Sequence, residues 1–201
     1  MSSPKIGAVV LAAGASSRMD GSNKLLTELD DKPMVRRIVE AVLGSKTSPV
    51  IVVTGNKADA VRNALAECPI SFINNPDFSI GLSGSLKLGL KALPVDCDGA
   101  VVVLGDMPAV TPALIDNLVG AFAPAEGRAI CVATHGGKRG NPVLFARRFF
   151  EKVESIEGDV GARGLIGAYP ELVCHVEADS DAPLIDIDTP EDLAAYRRRG
   201  T

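Results

Sequence analysis

Asp106 closes the run Val101-Val102-Val103-Leu104-Gly105. A carboxylate placed directly after an apolar parallel strand is held at the sheet edge where open α/β proteins bind ligands. Its oxygen suits Mg²⁺, which takes carboxylate, water and substrate phosphate as ligands; the plainer role is a cap for the loop before Pro108. An earlier apolar run leads into Leu11-Ala12-Ala13-Gly14-Ala15-Ser16-Ser17-Arg18-Met19, with Lys24 shortly after. Small residues and glycine let the backbone close around phosphates and offer its N–H groups. Arg18 and Lys24 bring positive charge to the same loop, as a triphosphate requires. The plainer alternative is a small-residue turn carrying solvated charges. The segment fits neither the G-x-x-x-x-G-K-[ST] loop nor the G-x-G-x-x-G fingerprint. A third acidic group, Asp186-Ile187-Asp188, precedes Thr189-Pro190-Glu191-Asp192. Alternation along a strand puts Asp186 and Asp188 on one face, and either can instead cap the helix that follows.

These residues need elements to hold them. Uniformly apolar runs at 6–11, 50–53, 71–73, 100–104 and 129–133 read as strands of a parallel sheet covered on both faces. Helices are predicted over 34–43, 57–67, 83–93 and 112–122, the last opened by Thr111 as N-cap and Pro112 at the first helical position. Strand–helix alternation of this kind predicts βαβ units with right-handed crossovers. Beyond residue 134 the pattern loosens: a glycine-rich loop over 135–141, strands at 142–145, 172–176 and 184–187, and helices at 147–153 and 161–169. A final helix starts at Thr189. The fold class is therefore α/β, an open and mostly parallel Rossmann-like sheet with helices on both faces. One domain spans 1–201, a nucleotide-binding half over 1–134 and an acceptor-side half over 135–201.

Composition narrows the functions. A formal charge of −4 argues against a general nucleic-acid or acidic-membrane binder, which needs a concentrated basic surface. The Arg197-Arg198-Arg199 run reads as cations at the negative end of a helix dipole. Cys68, Cys97, Cys131 and Cys174 form no CxxC pair, so reduced and mostly buried thiols are expected, neither a zinc knuckle nor a redox motif. No stretch is long enough to span a bilayer and the first apolar run is too short for a secretion signal, so a cytoplasmic protein is expected. The two histidines, His135 and His175, belong to no Ser-His-Asp constellation.

Taken in order, Leu11-Ala12-Ala13-Gly14, Arg18-Met19 with Lys24, Gly105-Asp106-Met107-Pro108 and Asp186-Ile187-Asp188-Thr189-Pro190-Glu191-Asp192-Leu193 resemble the pattern of MobA-like nucleotidyltransferases. The nearest resemblance within that group is to molybdenum cofactor cytidylyltransferases. Asn75-Pro76-Asp77-Phe78 with Gly81-Leu82 and Ser85, Gly140-Asn141-Pro142, and Gly158-Asp159-Val160-Gly161-Ala162-Arg163 support the narrower match. Each motif is weak alone; the ordered set spans nearly the whole chain.

The resemblance implies a fold of the nucleotide-diphospho-sugar transferase type and an Mg²⁺-dependent transfer of CMP from CTP to the phosphate of a molybdopterin-type acceptor. Leu11, Ala12, Ala13, Gly14 and Gly105 would line the nucleotide, with Gly81 and Ser85 near its base or ribose. Arg18 and Lys24 would hold the triphosphate. Asp106 would bind the metal, with Asp186 first and Asp188 second in line as its further ligand. Asn141, Asp159 and Arg163 would face the acceptor. A molybdoenzyme or chaperone is the partner such an enzyme would deliver to. The alternatives are another cytidylyltransferase, such as that for methylerythritol phosphate, a sugar-phosphate nucleotidyltransferase, or a non-catalytic nucleotide-binding module. The first of these usually carries lysine where Asp186 stands, and a mere binder has little need of the full charged set.

Overall fold

The computed structural model describes residues 3–14, 23–154 and 163–199. β1 (Ile6–Ala12) is buried along its whole length, the only situation open to a strand with no polar side. A 3₁₀ turn over Lys24–Leu26 leads to a small hairpin, β2 (Glu28–Leu29) and β3 (Lys32–Pro33). Its Asp30 and Asp31 both take positive φ, as the tight hairpin turn demands. There follow α1 (Met34–Leu43), β4 (Val50–Thr54), α2 (Ala58–Ala64), β5 (Ser71–Asn74), α3 (Leu82–Lys91), β6 (Gly99–Leu104) and α4 (Pro112–Ala121). The later part contributes β7 (Ile130–His135), β8 (Lys138–Ala146), α5 (Phe150–Glu154), α6 (Arg163–Ala168), β9 (Val173–Glu177) and α7 (Pro190–Arg199). Among the described residues no helix is long and apolar enough to cross a membrane.

Seven strands form one sheet in the order β5-β4-β1-β6-β8-β7-β9. β5, β4, β1 and β6 are parallel neighbours. β8 runs antiparallel to both β6 and β7, and β9 returns parallel to β7. After β1 the chain moves outward through β4 and β5, then crosses back to the other side of β1 as β6. That reversal opens a crevice beyond the carboxyl ends of β1 and β6, the topological switch point where such sheets bind ligands. Helices α1 and α4 pack together, as do α3 and α5. Thr111 caps α4, its hydroxyl accepting from Leu114 N–H at 3.2 Å with Pro112 next.

The strand expected at 184–187 does not form. Pro183 cannot donate to a ladder, and the chain instead makes a 3₁₀ turn over Ala182–Leu184 and an extended arm without strand pairing. The alternation survives nonetheless: Ile187 is fully buried against Leu29 and Met34 while its acidic neighbours face outward. The two-residue strands β2 and β3 were too short for any periodicity to announce. Residues 161–162 of the helix expected at 161–169 lie outside the described residues, and α6 accounts for the rest. All four cysteines are free thiols, Cys97 and Cys131 buried and Cys68 and Cys174 half-buried.

Candidate active site

The crevice gathers its charged groups from three distant parts of the chain. β1 and β6 run in register to Leu11 and Leu104, and Gly105 N–H continues the ladder to Leu11 O at 2.9 Å. A β-carbon on Gly105 would stand 3.0 Å from that oxygen, so glycine keeps the two strand ends close. Asp106 thus emerges beside the Leu11–Gly14 turn. The acidic arm is tied to it directly: Ile187 N–H donates to Asp106 O at 3.0 Å. On the far side of the arm, Asp192 accepts from the backbone of Asp188 and Thr189 while Thr189 Oγ1 accepts from Asp192 N–H, a reciprocal cap that fixes where α7 begins.

Lys24 completes the group. Its Nζ donates to Asp106 Oδ2 at 2.7 Å and also to Asp188 Oδ1, joining the strand end to the arm. Lys24 is only 8% exposed. Burial works against its charge, but the carboxylates of Asp106 and Asp188 outweigh it and hold the ammonium above the usual lysine range. Asp186 sits on the same arm and reaches solvent. Its crowded surroundings, then the nearby carboxylates of Asp106 and Asp188, push its carboxyl above the usual range. The second oxygen of Asp106, Oδ1, is buried with no hydrogen-bond partner. An uncompensated carboxylate oxygen inside a protein is costly, and a cation is the kind of partner that would satisfy it.

Asn23 is the residue that sequence reasoning missed. It is 4% exposed; its Oδ1 caps the turn carrying Lys24 by accepting from Leu25 N–H at 3.0 Å, and its Nδ2 donates to Asn56 O at 3.1 Å. Asn56 N–H in turn donates to Ala13 O at 3.3 Å. Asn23 therefore pins Lys24 to the ends of β1 and β4. The signal was present, an Asn directly before Lys24-Leu25-Leu26, in the position of an N-cap.

Gly81 and Ser85 lie at the start of α3, on the same sheet edge. Ser85 Oγ accepts from buried Asn75 Nδ2 at 2.9 Å, and Asn75 N–H continues the β4–β5 ladder by donating to Thr54 O. Ser85 is 2% exposed, so its hydroxyl supports the segment from beneath. Asn141 lies within β8, and Arg163 opens α6 with its side chain exposed. No hydrogen bond or ion pair joins either side chain to Lys24, Asp106 or Asp188. Arg18 and Asp159 lie outside the described residues. His135 Nδ1 is 3.1 Å from Ala178 O, a contact that ties the β7–β8 turn to the end of β9, and His175 stands exposed in β9.

Over residues 8–173 the chain matches the family model described as the MobA-like NTP transferase domain. The chain belongs to this family. A molybdenum cofactor guanylyltransferase of Vibrio atlanticus (strain LGP32) is 32% identical over 194 residues, covering 94% of this chain and 93% of the relative. The structure of Rv0371c from Mycobacterium tuberculosis H37Rv superposes with a TM-score of 0.86 at 27% identity, covering 98% of this chain and all of that one. A second structure of that protein, titled as its complex with manganese, gives a TM-score of 0.82 at 26% identity and covers 96% of this chain and 98% of that one. As a MobA-like NTP transferase the protein is a nucleotidyltransferase, and its sheet is that of the nucleotide-diphospho-sugar transferase fold.

The acid pair carries a first prediction. The resemblance of motifs favours Asp186 as the partner of Asp106, whereas the shared contact with Lys24 favours Asp188. With Mg²⁺ at Asp106, as the resemblance implies, geometry is the closer guide to its further ligand, and Asp188→Ala is expected to raise the Mg²⁺ concentration needed for half-maximal rate more than Asp186→Ala does. Titrating Mg²⁺ against rate in both variants decides it, and the reverse order reassigns the ligand to Asp186.

Proposed function

We propose that this nucleotidyltransferase moves CMP from CTP onto the phosphate of a small acceptor of the molybdopterin type and releases pyrophosphate. The observation that carries the reading is the cluster of Lys24, Asp106 and Asp188 at the switch point of the sheet. An acceptor phosphate is already an oxyanion at neutral pH, so no strong base is needed. Its oxygen attacks the α-phosphorus in line; the new O–Pα bond forms as the Pα–O bond to the β-phosphate breaks, and pyrophosphate leaves with the electron pair. The difficulty is bringing one anion to another. Lys24, Arg18 and the amides of the Leu11–Gly14 turn offset that charge and position the chain of phosphates.

A divalent cation fits the cluster. The carboxylates of Asp106 and Asp188 offer only oxygen donors, one of those oxygens lacks a partner, and Mg²⁺ at such sites takes one or two carboxylates and fills the rest with phosphate and water. Among the described residues no group of three or more His, Cys, Asp or Glu could hold a metal ion. Asp106 and Asp188 would hold it. Bound there, it would neutralise charge on the triphosphate. Mn²⁺ has the same oxygen chemistry.

Ala13 underlies the lean to cytosine. The resemblance to the family implies glycine at the matching position of its guanylyl-transferring members. Ala13 is 4% exposed, and a β-carbon built on Gly55 would lie 2.9 Å from its methyl and 2.6 Å from Phe78 Cβ. The methyl is thus buried beside Gly55, just past the end of β4, and does not itself line open space, as a direct clash with a purine would require. It acts instead by holding the turn in place, where glycine would let it sink and widen the cleft. Transfer of GMP from GTP is the second reading, favoured by the name of the Vibrio relative. A methyl-sized change is worth about 1–3 kcal/mol of discrimination. Ala13→Gly is therefore expected to relax a CTP preference without inverting it. The measurement is the ratio of kcat/KM for CTP and GTP in both proteins with one acceptor. Wild-type preference for GTP removes the cytidylyl reading, and an unmoved ratio removes Ala13 from it.

A further inference from the structure

Gly140 is a glycine for want of space. Gly136 and Gly137, in the turn just before it, take φ of 57° and 76° and need glycine for their backbone shape. Gly140 has no such φ. Instead, a β-carbon there would stand 2.0 Å from the carbonyl oxygen of Pro183, 2.6 Å from its carbon and 2.9 Å from its Cβ. The backbone of the Ala182–Leu184 turn rests directly on the bare Cα of β8, with Ala182 and Pro183 both buried. Only Leu184 and Ile185 separate this seat from Asp186. The arm is pinned a second time where Ile187 N–H reaches Asp106 O and its side chain enters the small cluster with Leu29 and Met34. Between these two anchors the chain has little slack.

We propose that Gly140 is a positioning residue for nucleotidyl transfer: by admitting Pro183 against β8, it sets the Asp186–Asp188 arm against Asp106 and Lys24. Relieving a 2.0 Å contact to the 3.4 Å of ordinary packing moves Pro183, or β8, by about 1.4 Å. Misplacement of about 1 Å at a reacting centre can cost on the order of 100-fold in rate. The inference rests on the reading of Asp106 and Asp188 as the metal-holding pair.

The test is direct Mn²⁺ titration of the full chain in the presence of CTP, followed by electron paramagnetic resonance, beside thermal melting. Gly140→Ala is expected to raise the Mn²⁺ concentration for half-saturation at least about tenfold while the protein still melts cooperatively. Gly120→Ala is the control, since a β-carbon on Gly120 meets nothing within 4 Å, and it should bind Mn²⁺ as the wild type does. If Gly140→Ala fails to fold, Pro183→Gly loosens the same seat without a clash and should shift Mn²⁺ binding in the same direction. A folded Gly140→Ala, or failing that a folded Pro183→Gly, with wild-type Mn²⁺ half-saturation overturns the proposal. Asp188→Ala in the same titration separates the two layers. If it weakens Mn²⁺ binding and the seat variants do not, only the role of Gly140 falls; if Asp188→Ala leaves binding unmoved, the metal pair falls and the proposal falls with it.

Discussion

Lys24→Ala is expected to lower kcat by about 100-fold or more. The ammonium stands where charge must be offset as pyrophosphate departs, and losing one preorganised partner of that kind costs about 3 kcal/mol or more. The variant should also report on the resting state. With Lys24 gone, Asp106 and Asp188 face one another without their shared cation, and carboxylates so placed repel. The melting temperature should therefore fall, and Mg²⁺ should restore part of it by taking the place of the ammonium, an effect much smaller in the wild type where Lys24 already fills that role. Turnover near wild type at unchanged melting temperature would remove Lys24 from the mechanism. A loss of turnover with no Mg²⁺-dependent gain in stability would leave its catalytic role standing and deny that the two carboxylates form one cation site.

Much of this arrangement was legible in the residues. Runs such as Val50–Val53 and Val101–Leu104 have no polar side, so a sheet covered on both faces was the only home for them, and the ends of those runs located the crevice. Thr111-Pro112 and Thr189-x-x-Asp192 announced helix starts that the structure makes with those same side chains. What stayed hidden depends on tertiary packing. Nothing local shows that Asp188, and not Asp186, shares Lys24 with Asp106: Ile187 turning inward onto Leu29 and Met34 sets both acids on the opposite face, and only the folded arm brings Asp188 to the ammonium. The role of Asn23 needs Asn56, 33 residues away. The contact at Gly140 needs Pro183, whose neighbourhood read as a strand until its missing N–H and buried ring put the chain into a 3₁₀ turn. Ala13 was placed at the nucleotide by the resemblance, yet that its methyl is buried beside Gly55 shows only in the fold.

Asp106→Asn should lower kcat by about 100-fold or more while leaving the fold nearly as stable. The substitution keeps the shape of the side chain and changes little besides charge. The backbone carbonyl of residue 106 still accepts from Ile187 N–H, so the acidic arm keeps its anchor. The amide oxygen can turn toward Lys24 and replace the contact made by Oδ2 at 2.7 Å. Its NH₂ then occupies the place of Oδ1, the buried oxygen that has no partner. There a donor replaces an acceptor, so a cation that a carboxylate would draw in is met by a partial positive charge. Binding of CTP should change less than turnover, because the Leu11–Gly14 turn and Lys24 remain. Raising Mg²⁺ should not recover the rate, unlike the arm variants, in which one carboxylate of the pair survives at the strand end. The measurements are kcat and KM for CTP across an Mg²⁺ series, beside thermal melting. Near-normal turnover with unchanged melting would take Asp106 out of the chemistry. Full recovery at high Mg²⁺ would mean that its oxygen only adds affinity for a cation held mainly by others.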